Sequence, residues 1–199
     1  NTAYASDGIS GLGDEAVTLS DTSLAATVLN RLNQNTTGIV NAGSITTLTG
    51  AAADLNISYV EDTDGTITGL GDEAVTLTDT TLQSDILNTL NVYTTGAVNA
   101  ASVSTLIGVF SDVNTSYSQN ILGTITGLGN EAVTLTDLSI LATNLSSIDA
   151  LTSGVVTSSA TTITGTYTEI HSVYTANTAG TITGLGDEAI DVSGTQTVD

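Results

Sequence analysis

Cysteine, proline, methionine, tryptophan and lysine are all missing from this 199-residue chain, and phenylalanine occurs once. Without cysteine there is no disulfide framework, no thiol chemistry and no hint of redox compartment. Without proline, turns fall to glycine, asparagine, aspartate, serine and threonine, and 20 glycines are available for them. The single cation, Arg31, stands against 21 acidic residues, for a formal charge of −20. Such a surface repels nucleic-acid phosphates and anionic lipid headgroups. It attracts divalent cations, and salt screening keeps it soluble in salt-rich water. No run of about 18 apolar residues occurs, so no membrane span is expected. No charged start followed by an apolar stretch opens the sequence, so no signal peptide is expected either. The first residue is Asn1, in mid-repeat, and the expectation is a piece of a larger protein.

Hydrophobic residues make up 40% of the chain, enough for a core. They are mainly Leu, Ile, Val and Ala, which pack well in thin, repeated layers. The repetition is explicit. Gly-Leu-Gly recurs at residues 11, 69, 127 and 184, with spacings of 58, 58 and 57. Each copy opens nearly the same text: GLGDEAVTLSDTSL, GLGDEAVTLTDTTL, GLGNEAVTLTDLSI and GLGDEAIDVSGTQ. A second set of glycines, at 38, 65, 96, 123, 154 and 180, divides every period into two half-units of roughly 29 residues.

The first half-unit reads as an alternating strand, Ala16-Val17-Thr18-Leu19-Ser20. Asp21-Thr22-Ser23 follow as a helix N-cap, then Leu24, Val28, Leu29 and Leu32 at helical spacing. Leu82, Ile86, Leu87 and Leu90 repeat that pattern, and Asn144 interrupts it in the third copy. Gly38, Gly96 and Gly154 are expected to end these helices. The second half-unit has a strand at residues 44–48 and a short helix packing on Leu55 and Tyr59. It recurs with Phe110, Val113 and Tyr117, and with Tyr167, Ile170 and Tyr174. Residues 1–5 match residues 114–118, so the chain opens inside a second half-unit.

This grammar predicts an α/β fold: a parallel strand–helix solenoid, leucine-rich-repeat-like, in which like strands of successive half-units stack and neighbours bury each apolar stripe. The solenoid spans residues 1–190, with repeat boundaries near 10, 68, 126 and 183, and residues 191–199 form a divergent tail. An all-β solenoid and a string of separate 58-residue domains are the alternatives. The lack of a linker between units speaks against the second.

One pattern carries chemistry. Asp14, Glu15 and Asp21 recur as Asp72, Glu73 and Asp79, as Glu131 and Asp137, and as Asp187 and Glu188, with Asp191 nearby. Carboxylates on a glycine turn suit Ca²⁺, which takes 6–8 oxygen ligands, and Gly-Leu-Gly-Asp-Glu-Ala-Val resembles one copy of the nonapeptide of calcium-binding RTX β-rolls. That motif works in immediate tandem, however, and Asn130 replaces the first acid in the third copy. The bland reading makes Asp14 and Glu15 solvated turn residues and Asp21 a cap. His171 and Arg31 have no counterparts in sister repeats, so neither belongs to a repeated site. No catalytic constellation, phosphate loop or required cofactor is expected, and the chain reads as a non-enzyme.

The wording GLGDEAVTLSDTSLAATVLN, with the Thr-Thr-Gly, VNAASVSTL and Asp-Val-Asn-Thr-Ser-Tyr segments, resembles the tandem repeats of giant secreted and cell-surface proteins of marine unicellular cyanobacteria, including the type linked to swimming without flagella. The resemblance implies an extracellular or cell-surface location and a structural, adhesive or motility-related role. The expected partners are neighbouring repeats of the same chain, with self-association into fibres. A calcium-dependent adhesin is the alternative.

Overall fold

The computed structural model describes residues 2–4 and 10–194. The first period contains β1 (Val17–Thr18), β2 (Ser23–Ala25), α1 (Ala26–Asn33), β3 (Val40–Asn41), β4 (Thr47–Gly50), α2 (Ala52–Asp64) and β5 (Ile67–Thr68). The second repeats the order as β6 (Ala74–Leu77), β7 (Thr81–Gln83), α3 (Ser84–Tyr93), β8 (Val98–Asn99), β9 (Thr105–Gly108), α4 (Phe110–Leu122) and β10 (Ile125–Thr126). The third gives β11 (Ala132–Leu135), β12 (Ser139–Leu141), α5 (Ala142–Asp149), β13 (Val156–Ser158), β14 (Thr162–Gly165), α6 (Tyr167–Ala179) and β15 (Ile182–Thr183). β16 (Ala189–Val192) opens a fourth. Helices alternate with parallel strands throughout, so the chain is α/β and not all-β.

Two compact units divide the chain. The first comprises Asn1–Asp79, Thr89–Ser102 and Gly123–Thr126. It holds the sheets β1-β3-β5 and β10-β8-β6-β4-β2. The second comprises Thr80–Asn88, Val103–Leu122 and Gly127–Asp199. It holds β15-β13-β11-β9-β7 and β12-β14-β16.

Strand pairing differs from the expected stacking of like strands. The Ala-Val-Thr-Leu strand β6 lies between β4 and β8, and β11 lies between β9 and β13, each at the centre of its own five-stranded sheet. The register in the first unit runs Leu24, Leu48, Val75, Val98, Ile125. In the second it runs Leu82, Leu106, Val133, Val156, Ile182. Partners are thus 23–27 residues apart. The cause lies in the segment after the central strand. Asp21-Thr22-Ser23 does not cap a helix, because residues 23–25 form β2 and helix α1 starts only at Ala26. Leu24 and Leu82 therefore belong to strand ladders, not to helices.

Leu48, Val75, Val98 and Ile125 are fully buried in the first unit, as are Leu106, Val133, Val156 and Ile182 in the second. Each such side chain stabilises by about 1.5–3 kcal/mol relative to exposure. On the helices Leu29, Leu32, Leu87 and Leu90 are buried as expected, and Leu145 and Ile148 are buried in the third copy as well. Val28 and Ile86 are exposed instead. Asn144 stands at that same outward position, so α5 forms without an apolar residue there.

In the second half-units Leu55, Tyr59, Val113, Tyr117 and Ile170 are buried, as their spacing predicts. Tyr167 is not: it is 65% exposed and stacks on His171, with centroids 5.9 Å apart. Neighbouring helices are joined by a polar pair. Asn30 Nδ2 donates to the Asp54 carbonyl at 2.9 Å and its Oδ1 accepts from Ser58 Oγ at 2.6 Å. Asn88 repeats both bonds with Asp112 and Ser116 at 2.9 and 2.8 Å. Strand β16 spans Ala189–Val192 and so crosses the expected start of the tail at residue 191. Residues 195–199 of the tail lie outside the described residues, as do Asn1 and Ala5 of the opening match.

Candidate functional site

The four Gly-Leu-Gly turns share one geometry. Both glycines hold positive φ: +90° and +122° at Gly69 and Gly71, +88° and +128° at Gly127 and Gly129. L-residues pay a steric penalty there, which is why glycine recurs at both positions. The turn aims a backbone N–H at the carboxylate two residues on. Gly71 N donates to Glu73 Oε2 at 2.8 Å, and Gly129 N to Glu131 Oε2 at 2.8 Å. Gly13 and Gly186 do the same for Glu15 and Glu188 at 2.7 Å. In three copies the intervening residue adds a second N–H, from Asp14, Asn130 and Asp187. That residue contributes its backbone, so aspartate and asparagine serve equally.

The other carboxylate oxygen accepts a tyrosine hydroxyl. The pairs are Tyr59 with Glu73, Tyr117 with Glu131, Tyr174 with Glu188 and Tyr4 with Glu15. Glu73 and Glu131 are only 1% exposed. A buried carboxylate without a cation is costly unless donors surround it, and charge-assisted bonds from a hydroxyl and a glycine turn meet that need. Burial raises the Tyr59 and Tyr117 hydroxyls above their ordinary pKa, and the adjacent glutamates add to the effect. Tyr4 is raised chiefly by its bond to Glu15. Glu15 is lowered by the Tyr4 hydroxyl first and the Gly13 N–H second. Tyr59 also stacks on Tyr93, with centroids 5.1 Å apart and rings 13° from parallel.

A third strand of chain closes the junction. Thr36, Thr94 and Thr152 donate their hydroxyls to the carbonyls of Glu15, Glu73 and Glu131 at 2.7, 2.6 and 2.7 Å. Two residues later come Gly38, Gly96 and Gly154, where a Cβ would overlap the same glutamate carbonyl. These glycines were expected to terminate helices. Helix α1 instead ends at Asn33 with Gln34 as a right-handed C-cap, and glycine at 38 is demanded by close backbone approach. Left-handed C-cap glycines do occur, at Gly65 and Gly180 after α2 and α6, with φ of +80° and +84°.

The remaining acids have separate tasks. Asp79 Oδ2 accepts from Ala52 N, the first residue of α2, at 2.7 Å, and Asp137 Oδ2 accepts from Phe110 N, the first residue of α4, at 2.7 Å. Each caps a helix that precedes it by 27 residues, not the helix that follows it. Their counterpart in the fourth copy is Gly194, and α6 has a local substitute: a capping box between Thr166 and Glu169. Asp14, Asp21, Asp72, Asp187 and Asp191 are exposed. Among the described residues no group of three or more His, Asp and Glu side chains is placed to hold a metal ion. Of the carboxylates expected to take calcium, Glu15, Glu73, Glu131 and Glu188 already accept hydrogen bonds at both oxygens.

Sequence reasoning placed Tyr59 and Tyr117 in the core but missed their link to glutamate, and it missed Thr36, Thr94 and Thr152 altogether. The usable signal was the recurring spacing, with Tyr59, Tyr117 and Tyr174 each 14 residues before a motif Glu and Thr36, Thr94 and Thr152 each 21 residues after one. No family model, no curated protein and no solved structure matches this chain.

Proposed function

We propose that this chain is a structural repeat segment, a spacer or scaffold, of a large bacterial extracellular or cell-surface fibrous protein. One observation carries the reading. The chemically distinctive residues of each repeat, Tyr, Glu, Thr and two kinds of glycine, are engaged in binding other segments of the chain. A site meant for substrate would leave polar groups aimed at solvent in a cleft. On this reading the chain is no enzyme. The finer architecture we propose is a parallel strand–helix solenoid whose rungs are stable only through their neighbours, with the acidic coat providing solubility. The wording of the repeats supports a surface location of the cyanobacterial type.

Two measurements test this. Antibody against the chain, applied to intact and to permeabilised source cells, is expected to label the intact surface. Label confined to permeabilised cells would overturn the location. Deleting one period, residues 69–126, is expected to leave a folded, less stable chain, since a repeat array shortens without losing its plan. Complete loss of folding would count against the solenoid.

A further inference from the structure

Cysteine, methionine and tryptophan are absent, so tyrosine is the most readily oxidised side chain this protein carries. Of its six tyrosines, Tyr4, Tyr59, Tyr117 and Tyr174 each donate to a glutamate. The other two lie in ring stacks, Tyr93 on Tyr59 and Tyr167 on His171. Among the described residues the two arrangements meet at Tyr59. Its hydroxyl donates to Glu73 Oε1, and its ring lies 5.1 Å from that of Tyr93, 13° from parallel. Tyr59 and Glu73 are 2% and 1% exposed, while Tyr93 is partly open to solvent.

The second unit supplies a comparison. Tyr117 and Glu131 repeat the buried pair, and Leu151 takes the place of Tyr93. The junction closes without the second ring. Thr152 bonds the Glu131 carbonyl and Ser153 N–H the Gly129 carbonyl, as Thr94 and Thr95 bond Glu73 and Gly71 beside Tyr93. Packing of the turn therefore does not call for Tyr93. Loss of an electron makes a phenol a strong acid, so the proton needs a base held in place. Glu73 Oε1 already shares that proton, while Oε2 keeps its bond from Gly71 N–H. Transfer leaves a neutral radical beside a neutral carboxylic acid. The buried carboxylate charge, costly in so dry a setting, disappears in the same step. Loss of an electron is further favoured in a chain of charge −20.

We propose that Tyr93, Tyr59 and Glu73 form a one-electron redox site that quenches oxidising radicals, of the peroxyl class, arriving from solvent. Tyr93 is the point of entry, because it is in ring contact with Tyr59 and reaches the surface. One electron passes from Tyr59 through Tyr93 to the peroxyl radical, which becomes a peroxide anion. The O–H bond of Tyr59 breaks, and its proton forms the O–H bond of the Glu73 acid. The unpaired electron stays on Tyr59, where burial keeps two such radicals from coupling. This activity stands beside the spacer role and does not rest on it.

The test is made on the full chain, with tris(bipyridine)ruthenium(II), light and persulfate as the source of a one-electron oxidant. Samples frozen at increasing delays are read by electron paramagnetic resonance, with N-acetyltyrosinamide as the free-tyrosine reference. A tyrosyl signal that outlives the reference is expected, and it is lost in Tyr59→Phe. Tyr93→Leu copies the second unit and is also expected to lose it. Leu151→Tyr copies the first unit and is expected to add a second persistent signal, at Tyr117. Glu73→Gln keeps an acceptor for the hydroxyl but no base for its proton, and its signal is expected to decay as fast as the reference. Should Glu73→Gln fail to fold, Tyr93→Leu and Leu151→Tyr decide, since each carries the residue that the sister copy already tolerates. A signal no longer-lived than the reference overturns the proposal. So does one that Tyr93→Leu leaves unchanged, or one removed by Tyr167→Phe, which would place the radical on the exposed stack with His171.

Discussion

The Tyr59 hydroxyl donates to the Glu73 carboxylate in the first unit, across 14 residues of chain, and the bond joins helix α2 to the turn before β6. The pair repeats in the second unit as Tyr117 and Glu131. Tyr59→Phe removes a hydrogen bond to a charged, buried group, which costs about 1.5–3 kcal/mol. A fall in melting temperature of several degrees is expected for either Tyr59→Phe or Tyr117→Phe, read by circular dichroism. A change within error would mean that the glutamate needs only its backbone donors.

Two glycines with different reasons to be glycine give a paired test. At Gly96 a Cβ would overlap the Glu73 carbonyl, backbone against backbone, with no side chain able to move aside. At Gly65 nothing stands within 4 Å of a Cβ, and only the left-handed φ of +80° resists. Gly65→Ala is expected to cost about 1–2 kcal/mol. Gly96→Ala is expected to cost more, or to abolish folding, in denaturant titrations. The reverse ranking would restore Gly96 to the role of a simple helix terminator.

Alkaline pH is expected to weaken the fold. Tyr59 and Tyr117 have pKa values raised in the folded state, above the ordinary value of about 10. Folding favours their protonated form. The stabilisation is therefore complete below pH about 10 and is lost as pH rises toward the folded values. Urea midpoints measured from pH 8 to pH 11 should fall at the alkaline end, and less so in the Tyr59→Phe, Tyr117→Phe double variant.

Helix capping is expected to be long-range in two helices and local in one. Asp79→Ala removes the acceptor for the first N–H of α2, and Asp137→Ala does so for α4. Each is expected to cost about 1 kcal/mol and to speed amide exchange at the start of the preceding helix. Thr166→Ala should do the same at α6, whose cap is its own. Faster exchange in the following helix instead would reinstate the aspartates as caps of the segments they precede.

The hydrogen bonds already made by both oxygens of Glu73 and Glu131 bear on calcium. Matched additions of Ca²⁺ and Mg²⁺ at equal ionic strength are expected to shift the melting temperature alike, through screening of the acidic coat. A rise specific to Ca²⁺ would show that the folded state binds the ion and would make a site of Asp14, Asp72 and Asp187.

Much of this was readable from one chain. The four glycine turns, the alternation of strand and helix, and the buried faces at Leu29, Leu32, Leu55 and Tyr59 follow from local spacing, because side-chain periodicity reports which face of an element is apolar. Partner choice was not readable. Whether Leu24 continues a helix or starts a ladder with Leu48, whether Gly38 stops α1 or admits the Glu15 carbonyl, and whether Asp79 caps the helix behind it or the one ahead depend on segments 23–27 residues away. Local pattern is blind at that range, because strand register and close backbone approach are set only when the chain folds back on itself. The residues and their period are properties of the sequence, while the pairing of tyrosine with glutamate, threonine with carbonyl and aspartate with a distant helix was decided by tertiary structure.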